Sequence, residues 1–499
     1  MSEHTWQLLA VVVYFALMLS IGYYAYRRTK SFDGYMLAER GLRPSVAALS
    51  ANAADMSAWL LMGLPGAVYA AGLIESWIAI GCTLGAWLNW LLVAPRLRAL
   101  SEVEGDAITI PTFLANRLKG GARPLRIVSA LVILVFFTFY VSSGMVAAGK
   151  FFVSSFGWPY LAGMVLVTVV TLTYTFFGGF LGATLTDVAQ GLLMLAALVA
   201  VPLVAVHEIG GWGAASRAIT TQLPDAFDLF AGIHDKGPLV WTIGIISTAA
   251  WGLGYFGQPH IIVRFMALRS PTEARTARRV SLGWMVLTSG GAVFTALVGI
   301  GYFAGSPALP LHDPETVFLL MARIFFHPFV GGLLLAAVLA AIMSTMSSQL
   351  VVCSSALVED LYRASGRTIA PKRLLMFGRL GVLVVAVVAA LMALDQDNAV
   401  LGLVSFAWAG FGASFGPIIV LSLYWRRLTA WGAMAGMATG AVVVFVWGRT
   451  AALHAAMYEI VPGFLASLLV AGIVSALTST DEEAVDADFR AMAETLVRR

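Results

Sequence analysis

The sequence predicts an all-α polytopic membrane protein with about 13 transmembrane helices, each near the roughly 20 residues needed to cross a bilayer. Of the 499 residues, 60% are hydrophobic and 12% are charged, and the mean hydropathy is +0.86. Apolar runs recur from residue 7 to residue 477. This composition excludes a water-soluble exterior for most of the chain, and no soluble domain fits between the runs.

The apolar runs are bounded by charged residues or by Gly and Pro turns. They lie near residues 7–25, 45–72, 75–95, 125–149, 159–177, 186–207, 239–262, 280–304, 329–358, 374–394, 399–424, 430–448 and 459–477. We predict one transmembrane domain over residues 1–478. A charged cytoplasmic tail follows over residues 479–499, as a short solvated helix or a disordered segment.

The distribution of Lys and Arg predicts the orientation of these spans. With the N-terminus outside, 26 of the 31 basic residues fall in segments on the inner side. The five on the outer side are Lys150, Arg217, Lys236, Arg323 and Arg449. Because cytoplasmic loops are enriched in Lys and Arg, we expect the N-terminus outside and the C-terminus in the cytoplasm. The net charge of +4 therefore reports topology and gives no indication of nucleic-acid binding.

Two groups of five spans, approximately residues 45–208 and 239–424, suggest inverted repeats. An odd number of spans per group inverts the second group relative to the first. Each group begins with an interrupted helix. The run 50–57 is polar within an apolar span, and the run 251–259 contains three Gly residues and ends in Pro. Matched breaks of this kind point to a solute site near the bilayer midplane.

Asp55 is the carboxylate most deeply placed in an apolar span, within about a turn and a half of Ser50, Asn52 and Ser57. A carboxylate at this depth is costly unless it is paired, so such residues usually line ion paths or bundle interiors. A purely structural Asp that pins the broken helix is the alternative. Of the two interpretations, we favour a functional Asp55.

A dense run of hydroxyl side chains at residues 344–348 interrupts the ninth span. Hydroxyls together with carbonyls freed at a helix break, such as those of Ala53 and Met56, suit a sodium ion. Contacts between helices are the alternative use for Ser and Thr in membranes.

Two further features have competing interpretations. Asp187 is either an N-cap at the inner end of the sixth span or a partner of Ser347 and Ser348 on the exit route of the ion. The Gly-interrupted aromatics Trp251 and Tyr255 either enclose a small apolar ring or belong to an interfacial belt.

Several function classes find no support in the sequence. The chain contains no Walker A loop, so ATP-driven transport within this polypeptide is not expected. Its seven His and two Cys residues show no metal-ligand spacing. No constellation typical of an enzyme is present, and we expect neither an enzymatic activity nor a required protein partner.

Long segments of the chain resemble the sodium/solute symporter family, and within it the bacterial members that carry proline. The resemblance covers nearly the whole chain. Its strongest segments read SANAADMSAWLLMGLPGA, GLGYFGQPHIIVRFMA and LAAIMSTMSSQLVVCSSALVEDLY. It implies a LeuT-type fold, two inverted five-helix repeats with additional helices, and sodium-coupled uptake of L-proline by alternating access across the bacterial inner membrane. The alternative solute is another small amino acid or a carboxylate.

The resemblance also implies site residues. Sodium is expected at Ala53, Met56, Ala341, Ser344 and Thr345, with Asp55 essential to ion coupling without necessarily being a direct ligand. Proline is expected at Ser57, Trp59, Tyr140, Trp251, Tyr255, Gln258 and Pro259.

This chain departs from the family pattern at two positions. Ala58 stands where Gly is expected, which would narrow the pocket or stiffen the break. Ser348 stands where Cys is expected. Some relatives hold a second sodium ion nearby, so a second site here is an open hypothesis. Its oxygens would come from Asp187, Ser344, Ser347 and Ser348.

Overall fold

The computed structural model describes residues 2–28, 37–119, 122–232, 237–304, 311–362, 371–396, 399–479 and 482–497. Some of the basic residues used to predict topology lie outside these ranges. They are Lys30, Lys236, Arg363, Arg367, Arg498 and Arg499.

Within the described ranges the chain is helical and forms no strand, which confirms the predicted all-α class. The first half contains α1 (Glu3–Arg28), α2 (Pro44–Asp55), α3 (Trp59–Ala71), α4 (Leu73–Val103), α5 (Ile110–Leu118), α6 (Ala122–Phe156), α7 (Tyr160–Glu208) and α8 (Trp212–Gln222). The middle contains α9 (Pro238–Ala249), α10 (Pro259–Met266), α11 (Ala274–Ala304), α12 (Val317–Ile324) and α13 (Pro328–Ser355). The last part contains α14 (Pro371–Met392), α15 (Val400–Tyr424), α16 (Ala430–Arg449), α17 (Ala451–Ala456), α18 (Ile460–Leu477) and α19 (Glu482–Val497).

Ten helical stretches among the described residues are long and apolar enough to cross a membrane. Each of the thirteen predicted spans has a helical counterpart. The fifth and sixth spans are joined in α7, which bends at Gly179 where φ is 57° and ψ is −151°. This left-handed conformation strains any residue with a Cβ atom, so Gly allows the bend. The exact number of crossings stays a prediction.

Both predicted helix breaks are present. The first lies between α2 and α3, where Met56 leaves helical geometry with ψ at 71°. The second lies between α9 and α10, where a 3₁₀ segment, Ala250–Gly257, is followed by Gln258 in extended conformation. Pro259 then begins α10, a position where Pro costs no backbone hydrogen bond. Each break therefore divides a helix into two half-helices whose ends meet inside the bundle.

The broken helices lie in the interior of the bundle. Helix α2 packs against α7, α10, α11 and α13, and the segment Ala250–Gly257 packs against α4 and α15. Gly85 makes one of these close approaches possible, since a Cβ atom there would lie 2.1 Å from the carbonyl oxygen of Gly252. Small residues at helix contacts permit such backbone proximity in membranes.

The C-terminal tail is a packed helix, not a solvated or disordered segment. Helix α19 is amphipathic, and Val485, Phe489 and Met492 are buried against the rest of the chain. Asp488 forms an ion pair with Lys119 at 2.5 Å, and Asp486 forms one with Arg426 at 2.8 Å. The charged composition of the tail concealed this apolar stripe, which a helical periodicity of 3.6 reveals.

We predict that Gly85→Ala lowers the thermal midpoint of unfolding, measured on detergent-purified protein. The added Cβ atom collides with backbone that cannot move aside, and overpacking of this kind costs about 1–3 kcal/mol. Gly283→Ala is the control, because a Cβ atom there meets open space. Equal effects of the two substitutions would contradict the close approach.

The docking of α19 is predicted to weaken as pH rises toward neutrality. Burial and then the neighbouring Asp488 carboxylate raise the pKa of Glu104 to about 7, partly opposed by Lys119. A carboxyl whose pKa is higher in the docked state binds its proton more tightly there. Docking is therefore strongest below the ordinary Glu pKa and weakens as pH rises to about 7.

Hydrogen exchange of residues 482–497 measures this effect. Protection in the wild type should fall as pH rises from about 5 to about 7 and then level off, once the intrinsic exchange rate is accounted for. Glu104→Gln removes the titrating group and should flatten this dependence. An identical fall in both proteins would show that another group is responsible.

Candidate functional site

Asp55 is the last residue of α2 and points into the bundle. Its side chain is 1% exposed. Oδ2 accepts a hydrogen bond from the Tyr255 hydroxyl of the second broken helix, while Oδ1 is buried without a partner among the described residues. The two interrupted helices are thus joined through this carboxyl group, which has no cationic partner in the described part of the chain.

The oxygens predicted to hold sodium come together beside this break. The Ser344 hydroxyl donates to the carbonyl oxygen of Ala53 at 2.7 Å and lies 3.1 Å from that of Ala341. The Thr345 hydroxyl is buried without a partner among the described residues. Met56 lies in the break itself. Helix α13 therefore presents hydroxyls to the carbonyls that the end of α2 leaves free.

A cluster of aromatic rings adjoins Asp55. The ring centroids of Trp59 and Trp251 are 6.0 Å apart, and Trp408 of α15 lies 6.4 Å from Trp251 and 5.1 Å from Tyr255. The Trp408 indole donates to the carbonyl oxygen of Trp251 at 2.7 Å. We call Trp59, Trp251, Tyr255 and Trp408 the aromatic cluster. Its position inside the bundle excludes an interfacial belt for these residues.

The end of the second break supplies polar atoms to the same region. The amide nitrogen of Gln258 donates to the Trp408 carbonyl at 3.1 Å. Its amide oxygen is fully buried and has no partner among the described residues. Pro259 directly follows and starts α10. The free oxygen is therefore available to a hydrogen-bond donor that enters the site.

Tyr140 of α6 is the predicted site residue that lies on neither broken helix. Its hydroxyl is buried without a partner among the described residues, and its ring lies 5.9 Å from that of His260, which directly follows Pro259 at the second break. The structure thus brings Tyr140 beside the start of α10.

Asp187 does not cap a helix, because α7 continues through it on both sides. It is fully buried, and Oδ2 lies 2.9 Å from Nη2 of Arg264. The sequence suggested that Asp187 contacts the hydroxyls of Ser347 and Ser348. In the structure, Arg264 contacts Ser348, and the Ser347 hydroxyl donates to the Ser344 carbonyl. Arg264, assigned to an inner loop from its charge, lies inside the bundle with 1% exposure.

Sequence reasoning missed Trp408, His260 and Arg264 as members of this region. Trp408 lies in an apolar span without an interruption, so only the resemblance of that segment indicated it. His260 and Arg264 directly follow the second break. That proximity was an available signal, since ionisable residues in a span usually face the bundle interior.

Ala58 causes no backbone strain at the first break. Its φ of −52° and ψ of −21° are helical values that any residue adopts. Its side chain is buried. The Cβ atom therefore restricts space in the break but does not alter the path of the backbone.

A narrow cavity leads away from the second break. Its volume is about 20 Å³, which is room for about one water molecule. The lining includes Pro259, Val263, Thr109 and Asp360. It shares Ile108 with a wider crevice that reaches Arg40 and Glu359. This end of the bundle is the one predicted to face the cytoplasm.

A comparison with models of protein families identifies the family of this chain. Residues 35–440 match the model of the Sodium:solute symporter family. The chain belongs to this family. This finding confirms the resemblance drawn from the broken helices and the Ser-rich ninth span. The chain is therefore a membrane-embedded symporter.

Curated relatives are similar over nearly their full length. The high-affinity proline transporter PutP of Bacillus subtilis is 53% identical, with 96% of this chain and 100% of the relative covered. The osmoregulated proline transporter OpuE of the same organism is 49% identical, with 99% of each covered. The sodium/proline symporter of Staphylococcus aureus is 47% identical, with 97% of this chain and 96% of the relative covered.

Solved structures confirm the LeuT-type fold. A Na⁺-coupled sialic acid symporter in a substrate-bound outward-open state is 19% identical, with a TM-score of 0.77 over 95% of this chain and 98% of that one. Mhp1, a nucleobase-cation-symport-1 family transporter, is 16% identical, with a TM-score of 0.56 over 92% and 98%. At these identities the similarity shows only that this chain shares the fold of those transporters.

Tyr255→Phe is predicted to raise the sodium concentration for half-maximal activation of this symporter. The substitution removes the hydroxyl that holds Asp55. A hydrogen bond to a charged group contributes about 1.5–3 kcal/mol, so a rise of roughly tenfold to a hundredfold is expected. Tyr302→Phe is the control, because that tyrosine packs between Phe303 and Phe325, outside the site. Unchanged sodium activation in Tyr255→Phe would contradict a role for this contact.

Proposed function

We propose that this protein couples the inward movement of sodium to the uptake of L-proline by alternating access. One observation carries the proposal. The Ser344 hydroxyl meets the Ala53 carbonyl at 2.7 Å, immediately beside a break whose other side faces the aromatic cluster. A cation held at this point would tie α13 to α2 and fix the residues that contact the solute.

Sodium is proposed to bind the carbonyl oxygens of Ala53, Met56 and Ala341 and the hydroxyls of Ser344 and Thr345. These are hard oxygen donors from two helices, and the unpaired charge of Asp55 favours a cation nearby. Asp55 acts through its position: it holds Tyr255, so occupancy of the ion site and the shape of the aromatic cluster depend on each other.

Proline is proposed to lie against the aromatic cluster. The faces of Trp59 and Trp251 suit an apolar five-membered ring, and aromatic faces attract an ammonium group. The free amide oxygen of Gln258 accepts a hydrogen bond from the same ammonium. The hydroxyls of Ser57 and Tyr140 are placed to donate to the carboxylate.

The cavity beyond Pro259 and the crevice that shares Ile108 with it are proposed as the start of the cytoplasmic exit. Residues 1–478 then form one transporter domain in the bacterial cytoplasmic membrane, with repeats at about 45–208 and 239–424. The N-terminus is outside and α19 is in the cytoplasm, as the excess of inner Lys and Arg indicates.

Uptake of labelled proline into proteoliposomes tests this function. An inward sodium gradient should drive proline accumulation, and an equal potassium gradient should not. Unlabelled proline should compete most strongly in a panel of small amino acids and carboxylates. Sodium-driven accumulation of another solute without proline uptake would overturn the choice of solute and keep the coupling.

Ser344→Ala is predicted to weaken sodium activation of proline uptake by about tenfold or more, because a ligand and its contact with α2 are both lost. Ser422→Ala is the matched control. That hydroxyl donates to Ile419 of its own helix at 2.8 Å. If sodium activation were intact in Ser344→Ala, or fell equally in Ser422→Ala, the assignment of the ion site would be wrong.

A further inference from the structure

Arg264 and Asp187 form an ion pair in the bundle interior, beside the hydroxyls of the hypothetical second sodium site. The side chains are 1% and 0% exposed, and Nη2 of Arg264 lies 2.9 Å from Oδ2 of Asp187. The same nitrogen lies 2.5 Å from the Ser348 hydroxyl, and Nε lies 2.8 Å from the Ser50 hydroxyl. The guanidinium therefore contacts a carboxylate and two hydroxyls at once.

These three oxygens are of the kind that sodium prefers. Ser50 also donates to Oδ2 of Asp187 at 2.7 Å, and the guanidinium links these two oxygens to the Ser348 hydroxyl. The other oxygen of Asp187 is fully buried and has no partner among the described residues. The Arg264 guanidinium stands at the centre of this set, with the ring of Phe180 at 5.5 Å on one side.

A guanidinium stays charged at any pH at which proteins function. In a site shielded from water, a second cation beside it is repelled strongly, because Coulomb energies rise as the dielectric constant falls. The Asp187 carboxylate is already neutralised by Arg264, so it offers no net attraction to sodium. Asp55 is the carboxylate of this region left without a cationic partner in the described part of the chain.

We propose that Arg264 is a tethered cation that fills a second sodium position, so that the transporter binds one sodium ion. Removal of the guanidinium then opens a second sodium site made by Asp187, Ser50 and Ser348. The inference rests on the proposed function, since it concerns the number of ions that accompany each solute molecule.

The ion pair is also connected to the proposed sodium site. Ser50 precedes Asp55 on α2, and Ser348 follows Ser344 by one helical turn on the same face of α13. Arg264 belongs to the half-helix that begins at the second break. The tethered cation thus joins α2, α10 and α13, which carry proposed sodium and solute contacts, to α7, without being released on each cycle.

Sodium stoichiometry in purified protein and proteoliposomes tests the inference. Binding of radioactive sodium at saturation gives the number of ions per chain, and current measured against proline flux gives the charge moved per proline. The wild type should bind one ion, move one charge per proline and show a Hill coefficient of one. Arg264→Gln should bind two ions, with a Hill coefficient that rises above one.

Three further variants complete the test. Arg264→Lys keeps a tethered cation and should bind one ion. Arg264→Gln combined with Asp187→Asn removes the charge that attracts the second ion and should also return to one. Asp187→Asn alone should still bind one ion, because Asp187 holds Arg264 and not sodium. This variant and the wild type test the inference even if Arg264→Gln does not fold.

Three results would overturn the inference: two sodium ions bound to the wild type, loss of a bound ion in Asp187→Asn, or a single ion in a folded Arg264→Gln. Failure of the proposed function has a different signature, since wild-type proteoliposomes would then show no sodium-driven proline flux at all. If the wild type carried proline together with two sodium ions, the tethered-cation inference would be wrong but the proposed function would stand.

Discussion

The structure depends on the requirement that every backbone polar group away from water finds a partner. In a membrane this requirement is met by unbroken helices, and a break is tolerated only where protein or a cavity surrounds it. The breaks after Asp55 and before Pro259 are accordingly placed in the interior, where α7, α13 and α15 cover them. Carbonyls that lose their helical hydrogen bonds at the breaks are costly to bury without a partner. An ion that binds these carbonyls removes that cost.

The positions of charges follow from the same low dielectric. Asp55 is held by a hydroxyl and has no cationic partner among the described residues, whereas Asp187 is matched by Arg264. The first arrangement favours the entry of a cation, and the second excludes one. These two buried carboxylates therefore have different roles, because their side-chain partners differ and not because one is more deeply buried than the other.

Much of this architecture was predictable from sequence because lipid imposes a simple pattern of long apolar runs. The breaks were predictable too, since polar or Gly-rich stretches in such runs usually mark an interruption that faces the bundle interior. Arg264 was misassigned because its position near a span end looks the same in sequence as a loop residue. The packed tail was missed because its buried stripe of Val485, Phe489 and Met492 is diluted by charges. Trp408 required three-dimensional proximity, which no local pattern encodes.

The central claim is that sodium and solute sites share the first helix break and therefore influence each other's affinity. Coupling of this kind is reciprocal by thermodynamic necessity. The most direct test is equilibrium binding to purified protein, with sodium affinity measured with and without proline and proline affinity measured with and without sodium. The account predicts that each ligand tightens the other by the same factor, and that this factor falls toward one in Ser344→Ala. Independent binding of sodium and proline in the wild type would contradict it.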